Sequence, residues 1–260
     1  IDNRVSGVLE LPNTWLHHNA LKLFGTDYGD MTEAEKVEAN GVLDYSQWSL
    51  PNYDDEYSGS ELPFTKDVIV INNQFNIEKG RMPTRFYDIE CLYNVFTTLT
   101  DAGYTVVYNR PKNIEFAIDE NENQTIAMGL TLDADVEGIG IMSDDQLCDH
   151  FDDVHRFHDL MTISGMTYNE YQLRLFDRAK GFIGLVGGAG TLSCFYQKPT
   201  ILYGTVSRAI AEGYWKYNSY YQMLSNQNAH PVIDKRDDQI ARGGHDYSHL
   251  YYLIDKLFVQ

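Results

Sequence analysis

Phe182 to Gly204 reads FIGLVGGAGTLSCFYQKPTILYG, an apolar run that breaks into Gly187, Gly188, Gly190 and Thr191, passes through a short helix-like segment, and resumes after Lys198-Pro199. This is the order strand, glycine turn, helix, strand. Glycines at the carboxyl end of a strand let backbone N–H groups approach a ligand closely, and the helix N-terminus that follows favours an anion. The chemistry implied is recognition of a phosphate-bearing ligand, against the alternative of a tight turn with no ligand. The residues do not spell the GxGxxG fingerprint of an opening βαβ unit, and no Lys follows Gly190-Thr191 as a P-loop requires. Similar donors stand after the other apolar runs: Asn72, Asn73 and Gln74; Asn109 and Arg110; Gly204, Thr205 and Ser207. Amides, hydroxyls, glycines and one guanidinium suit a diphosphate and sugar hydroxyls without a metal. Arg110 is the best single cation of the set, its alternative role being a strand-end ion pair in an acidic chain.

The elements that must position these residues follow from hydrophobic periodicity. DVIVIN, from Asp67, is a continuous apolar run suited to a buried parallel strand, and YDIECLYNVFTTLTDAG is an amphipathic helix closed by Gly103. TVVYNRP is the next strand, ended by Pro111. Val136 to Met142 reads as a further strand, Asp144 to Met161 and Tyr168 to Ala179 as helices, Phe182 to Val186 and Thr200 to Tyr203 as strands, and HDYSHLYYLIDKLF as a final helix. Strands alternating with helices imply a parallel sheet with right-handed crossovers, whose ligands bind at the carboxyl ends of the strands near a topological switch point. The expected fold is α/β, a Rossmann-like parallel sheet flanked by helices over residues 66–260. Residues 1–65 differ in character: a helical pattern in LPNTWLHHNALKLFG, a short helix capped by Thr32 with Glu35, and an aromatic, acidic loop from Gln47 to Pro63. They read as an N-terminal extension packed on the core.

Composition narrows the function classes. A chain of 260 residues, 43% hydrophobic, buries a sizeable core. Its formal charge of −18 repels nucleic acid and anionic lipid, so a phosphate site must be built locally against that field. Cys91, Cys148 and Cys194 are widely spaced and match no metal pattern, which suits free thiols in a reducing compartment. No run reaches membrane-span length and no signal-peptide order begins the sequence, so the expected location is cytoplasmic.

Three stretches carry a resemblance: VIVINNQFNIEKGRMPTRFYDIECLYNVFTTL, YTVVYNRP followed by an acidic stretch with DENENQ, and YNEYQLRLFDRAKGFIGLVGGAGTLSCFYQKPTILYG. Together, over about residues 67–221, they resemble a glycosyltransferase-like family of algae, fungi and large algal viruses of chlorovirus type, itself similar to the nucleotide-sugar-binding half of the GT-B fold. After the first strand that family carries an Asn-Lys-Tyr-Asn type segment ending in Glu-Trp-Gly. Here Asn73, Phe75, Asn76, Glu78 and Gly80 stand in that frame, while Gln74 and Lys79 depart from it and Lys79 or Arg81 takes the place of the missing lysine. The resemblance implies an enzyme, a hexosyl- or pentosyltransferase, moving a sugar from a nucleotide-sugar donor, UDP-linked by preference, to a hydroxyl of a glycan or glycoprotein acceptor. It implies that Gly187, Gly188, Gly190 and Thr191 hold the donor diphosphate with Asn73, Asn109, Arg110 and Tyr203 beside them, and that Glu212 binds ribose. It also implies an inverting reaction needing no cofactor or metal, in the host cytoplasm if the source is a virus.

An inverting transferase needs a base within reach of the acceptor hydroxyl. Glu78, after the first strand, and His18, in the extension beside His17, are the candidates. His155 and His158, three apart in an expected helix, read as a solvated face rather than a metal pair. Tyr214, Tyr217, Tyr220 and Tyr221 offer sugar platforms or packing. Asp133-Ala134-Asp135 spells a DxD and keeps a metal-dependent GT-A transferase open, with a plain acidic loop as the alternative. A non-catalytic glycan or nucleotide-sugar binding module remains a further class, as does another α/β enzyme such as a sugar-nucleotide epimerase or pyruvyl-type transferase. A serine hydrolase is disfavoured, since Ser193 lies in no GxSxG elbow.

Overall fold

The structure, a computed structural model, describes residues 62–75, 77–78, 86–111, 126–127, 130–136, 138, 140–205, 221–222, 225–234 and 245–260, together with residue 32. The proposed extension therefore lies outside the described residues except for Thr32 and the residues from 62 onward.

Ten strands and six helices are described in chain order. They are β1 (Val68–Asn72), β2 (Ile77–Glu78), α1 (Ile89–Asp101), β3 (Thr105–Asn109), β4 (Ile126–Ala127), β5 (Asp133–Val136), β6 (Gly140–Ser143), α2 (Asp144–Asp149) and β7 (Val154–Arg156). Then come α3 (Phe157–Ser164), α4 (Tyr168–Arg178), β8 (Gly181–Leu185), α5 (Gly188–Phe195), β9 (Thr200–Thr205), β10 (Ala229–Asp234) and α6 (Ser248–Ile254), which continues as a wider π turn over Asp255–Val259. Six strands form one sheet in the order β10-β9-β8-β1-β3-β7, and every neighbouring pair is parallel. Counted along the chain, this is 6-5-4-1-2-3, the doubly wound Rossmann order. The expected α/β, Rossmann-like parallel sheet flanked by helices is what the chain forms.

The central strands are apolar throughout because both faces are covered. Ile69, Ile71, Val106, Ile183, Ile201 and Val232 pack on one face with Leu92, Val95, Phe96 and Leu99 of α1 and Leu250, Leu253 and Ile254 of α6. Val68, Val70, Val107 and Phe182 pack on the other with Phe157 of α3, Tyr171, Leu175 and Phe176 of α4, and Leu192 of α5. Caps fix where helices begin: Asp88 accepts from Cys91 N at 2.8 Å at the start of α1, and Ser143 with Gln146 and Thr167 with Glu170 close capping boxes on α2 and α4.

The sequence reading departs from the fold in three places. Residues 136–142 are not one strand: Val136 ends β5, and residues 140–142 belong to β6, which pairs with β5 antiparallel, with Gly138 and Gly140 at positive φ. Residues 144–161 are not one helix, since β7 interrupts them, so His155 lies on a strand and His158 on α3. The apolar periodicity there comes from buried Leu147, Cys148, Val154 and Phe157, which serve a helix, an edge strand and a helix in turn. β10 is a further strand that carries Pro231 in its middle; as the outermost strand of the described sheet it tolerates a residue without an N–H.

Candidate functional site

The crevice of a doubly wound sheet opens where successive connections leave in opposite directions. In this chain that point lies between β1, whose connection runs through α1, and β8, whose connection runs through α5 on the opposite face. The glycine turn is located there. Gly187 has φ of +153°, a conformation that side chains rarely adopt, and it opens α5 with no side-chain cap. Thr191 N donates to Gly187 O at 2.9 Å, which leaves the N–H groups of the preceding first turn directed out of the helix end. A Cβ at Gly187 or Gly188 would meet no atom within 4 Å, whereas one at Gly190 would stand 2.4 Å from Leu185 O and 2.8 Å from Leu202 Cδ2. Gly190 is thus required by close helix–strand packing, and Gly188 borders open space.

Opposite the turn, Asn72 ends β1. Its side chain lies next to Gly184 of β8, where a Cβ would stand at ordinary contact distance, 3.6 Å from Asn72 Cβ and 4.0 Å from Asn72 Nδ2. Asn72 Oδ1 accepts from Asn109 Nδ2 at 3.1 Å, and Asn109 Nδ2 also donates to Tyr168 OH at 2.9 Å. Asn72 Nδ2 is buried and has no hydrogen-bond partner among the described residues. A buried donor left unmatched costs free energy unless a further group meets it.

The other strand-end residues are engaged in the scaffold. Asn73 Nδ2 donates to Tyr87 O and Tyr108 OH, both at 3.0 Å, and its Oδ1 accepts from Tyr87 N and Gln74 N. Arg110, expected as a cation for the ligand, is paired within the fold. Its side chain is 5% exposed and forms a two-pronged pair with the fully buried Asp144 through Nε and through Nη2 at 2.8 Å, while Nη1 donates to Leu130 O at 3.1 Å. Burial lowers the guanidinium's pKa, but Asp144 more than offsets this and holds it above its ordinary value. Tyr108 OH donates to the same carboxylate at 2.9 Å, and burial raises the phenol's pKa well above its usual range. The ion pair of the alternative reading of Arg110 is thus formed.

Thr191 is buried within α5. Tyr203 is fully buried on the sheet face opposite α5, where its OH donates to Asp234 Oδ2 at 2.7 Å and lies 2.9 Å from His245 Nδ1. His245 Nδ1 is 3.3 Å from Asp234 Oδ2, and its buried Nε2 has no partner among the described residues. The sequence gives no sign of this triad, because its members come from β9, β10 and the start of the last helical segment and meet only in the fold. Glu78 lies on β2, paired with β4, and its side chain is outside the description. His18, Glu212, Tyr214, Tyr217 and Tyr220 lie outside the described residues, while Tyr221 is buried. Asp133 and Asp135 are exposed on the β5–β6 hairpin. The three cysteines are buried, and burial raises each thiol's pKa.

A polar cavity of about 250 Å³ adjoins the crevice at the carboxyl ends of β3 and β7. Asn109 and Arg110 are on its wall, with residues of α2 and of the β7–α3 junction. No helix among the described residues is long and apolar enough to cross a membrane.

No protein-family model and no curated protein matches the chain. Among solved structures, the chain is similar to E. coli ADP-heptose lps heptosyltransferase II, with a TM-score of 0.46 and 11% identity over 80% of this chain and 50% of that one. The chain thus aligns with about half the length of that protein.

Proposed function

We propose that the protein is a glycosyltransferase of GT-B-like architecture that binds a nucleotide-sugar donor in the crevice between β1 and β8. One observation carries the reading: an uncapped helix N-terminus, opened by glycines and facing free space, stands beside a buried Asn72 donor that no described residue satisfies. A diphosphate would accept from the first-turn amides of α5 and from Asn72 Nδ2, and the same groups would stabilise the charge on the nucleoside diphosphate as it leaves. Neutral N–H donors meet the phosphates directly in this scheme, so no metal is required. The UDP-linked donor, the glycan or glycoprotein acceptor, the inverting course, and Glu78 or His18 as the base belong to the proposal through the resemblance described above.

Thermal unfolding with a panel of nucleotide sugars and free nucleotides, with and without Mg²⁺ and EDTA, tests it. A ligand at 100 times its Kd adds about 2.7 kcal/mol to stability. The expected outcome is a shift that one nucleotide class produces equally in EDTA. Asn72→Ala should weaken that ligand about tenfold or more, since a hydrogen bond to a charged group contributes about 1.5–3 kcal/mol. No shift with any nucleotide would overturn the reading.

A further inference from the structure

His245 is buried where three elements meet at the carboxyl edge of the sheet. Tyr203 of β9 stands in register with Leu185, which ends β8 just before the glycine turn, and Asp234 ends β10 opposite Thr205. His245 Nδ1 lies 2.9 Å from Tyr203 OH and 3.3 Å from Asp234 Oδ2. Counting hydrogens fixes the tautomer. The one hydroxyl proton of Tyr203 goes to Asp234 Oδ2 at 2.7 Å, and an unprotonated Nδ1 would turn its lone pair on both the phenol oxygen and the carboxylate. Nδ1 therefore carries the hydrogen, and the neutral ring bears its lone pair on Nε2. That atom is buried and meets no hydrogen-bond partner among the described residues. A carboxylate behind Nδ1 and an unmatched lone pair on Nε2 make up a histidine general base.

The two faces of the sheet divide the work. Asn72 follows Val68 and Val70 in the alternation of β1 and so belongs, with the first turn of α5, to the face given to the diphosphate. His245 packs on the other face, in a row of rings that begins with Phe75, just past β1, and runs through Phe86, with centroids 4.8 and 5.0 Å apart. An inverting displacement brings the incoming hydroxyl to the side of the anomeric carbon opposite the leaving group, with its base there. Phe86 is the least buried of the three rings around the imidazole, so the hydroxyl is admitted from its side. We infer that His245 is the catalytic base of the proposed transfer, with Asp234 and Tyr203 as its positioning residues. Glu78 and His18 have that part through the resemblance alone. As the acceptor oxygen bonds to the anomeric carbon its proton passes to Nε2, the bond from that carbon to the diphosphate oxygen breaks, and the electron pair leaves with the nucleoside diphosphate. The substrate assigned to His245 rests on the transferase reading; its tautomer does not.

Three measurements on the full chain separate failure of this inference from failure of the transferase reading. Long-range ¹H–¹⁵N NMR of the histidine-labelled wild type reads the tautomer with no substrate and no variant, and an Nε2–H form of His245 would overturn the inference at once. Titration with UDP, ADP and GDP tests the donor crevice. Release of nucleoside diphosphate from UDP-, ADP- and GDP-glucose, with methyl glucoside or water as acceptor, reads the transfer. His245→Gln is expected to lower kcat by about 10²–10⁴-fold, the contribution of a general base, and to leave KM and nucleotide affinity within about threefold. Asp234→Asn, whose amide can donate to Nδ1 and move the ring hydrogen to Nε2, should fall nearly as far. Tyr203→Phe keeps Asp234 on Nδ1 and loses a single hydrogen bond, so its kcat should fall by less than about tenfold. A cluster that only holds the fold together would lose nucleotide affinity and kcat in parallel in all three variants, and that result would overturn the inference. So would a kcat unchanged in His245→Gln, or a wild type that binds a nucleotide and turns over none of the donors. Failure of every nucleotide to bind would overturn the transferase reading, and with it the substrate assigned to His245, whatever the tautomer.

Discussion

Two polar clusters stand side by side at the carboxyl edge of the sheet, built from the same kinds of residue and completed in opposite ways. Around Asn73, Tyr108 and Asp144, side-chain donors and acceptors find partners within the fold: the Asn73 side chain makes four hydrogen bonds and Asp144 accepts from both Arg110 and Tyr108. Around Asn72 and the start of α5, a buried amide N–H group and the first-turn amides of a helix are left over. A saturated network can only hold its shape, whereas an unsaturated one at a switch point is shaped to be completed by something else. The contrast explains why neighbouring asparagines, 72 and 73, have different work. The first keeps a donor unmatched among the described residues, which the proposed function gives to a ligand, and the second ties β1 to Tyr87 and Tyr108.

The largest effect that would sharpen this contrast comes from Asp144→Ala. Removing one partner of a buried ion pair leaves Arg110 uncompensated and is expected to cost about 3–5 kcal/mol. Chemical denaturation should show this, and a loss under about 1 kcal/mol would mean that the saturated cluster is not the scaffold it is taken for. Next come the two glycines of the turn. Gly190→Ala forces a Cβ against Leu185 O and should destabilise by about 1–3 kcal/mol. Gly188→Val meets open space, so it should change stability by less than about 1 kcal/mol while abolishing nucleotide binding. Equal effects of the two on stability would break the distinction between packed and ligand-facing glycine.

The smallest effect concerns pH and lies away from both clusters. Burial, then the charge of Lys256, lowers the pKa of His230 on β10 below its ordinary value near 6.5. The unfolded chain therefore binds this proton first. The contribution is fully present above about pH 6.5 and is lost as pH falls through that value toward the folded-state pKa. His230→Gln should flatten this part of the stability profile, while an unchanged slope between pH 7 and 5 would assign it to other groups.

Much of this was legible in the residues. The continuous apolar runs VIVIN and TVVYN announce strands buried on both faces, and Gly103 marks the end of α1 in the sequence itself. The glycine turn was legible too, because a change from an apolar run to clustered glycines is a local signal. What sequence could not tell is which polar side chains would find partners. Arg110 and Asp144 are 34 positions apart, and Tyr203 and His245 are 42 apart. Whether a strand-end arginine meets a ligand or a carboxylate is decided by long-range packing. The short β7 was hidden for a related reason: three residues carry too little alternation to be told from a helix.

The close fit of Phe258 against Gly181 bears on the order in which the chain assembles. A Cβ on Gly181, the first residue of β8, would come within 2.5 Å of the Phe258 ring, so the ring occupies the place of that missing side chain. β8 lies between β9 and β1, and its first residue is covered by a side chain from the π turn that extends α6. On a ribosome, β1, β3 and β8 are all made before residue 258 emerges. The amino end of the central strand consequently stays uncovered until nearly all of the described chain has been synthesised, and the completed sheet is sealed late, from its C-terminal side.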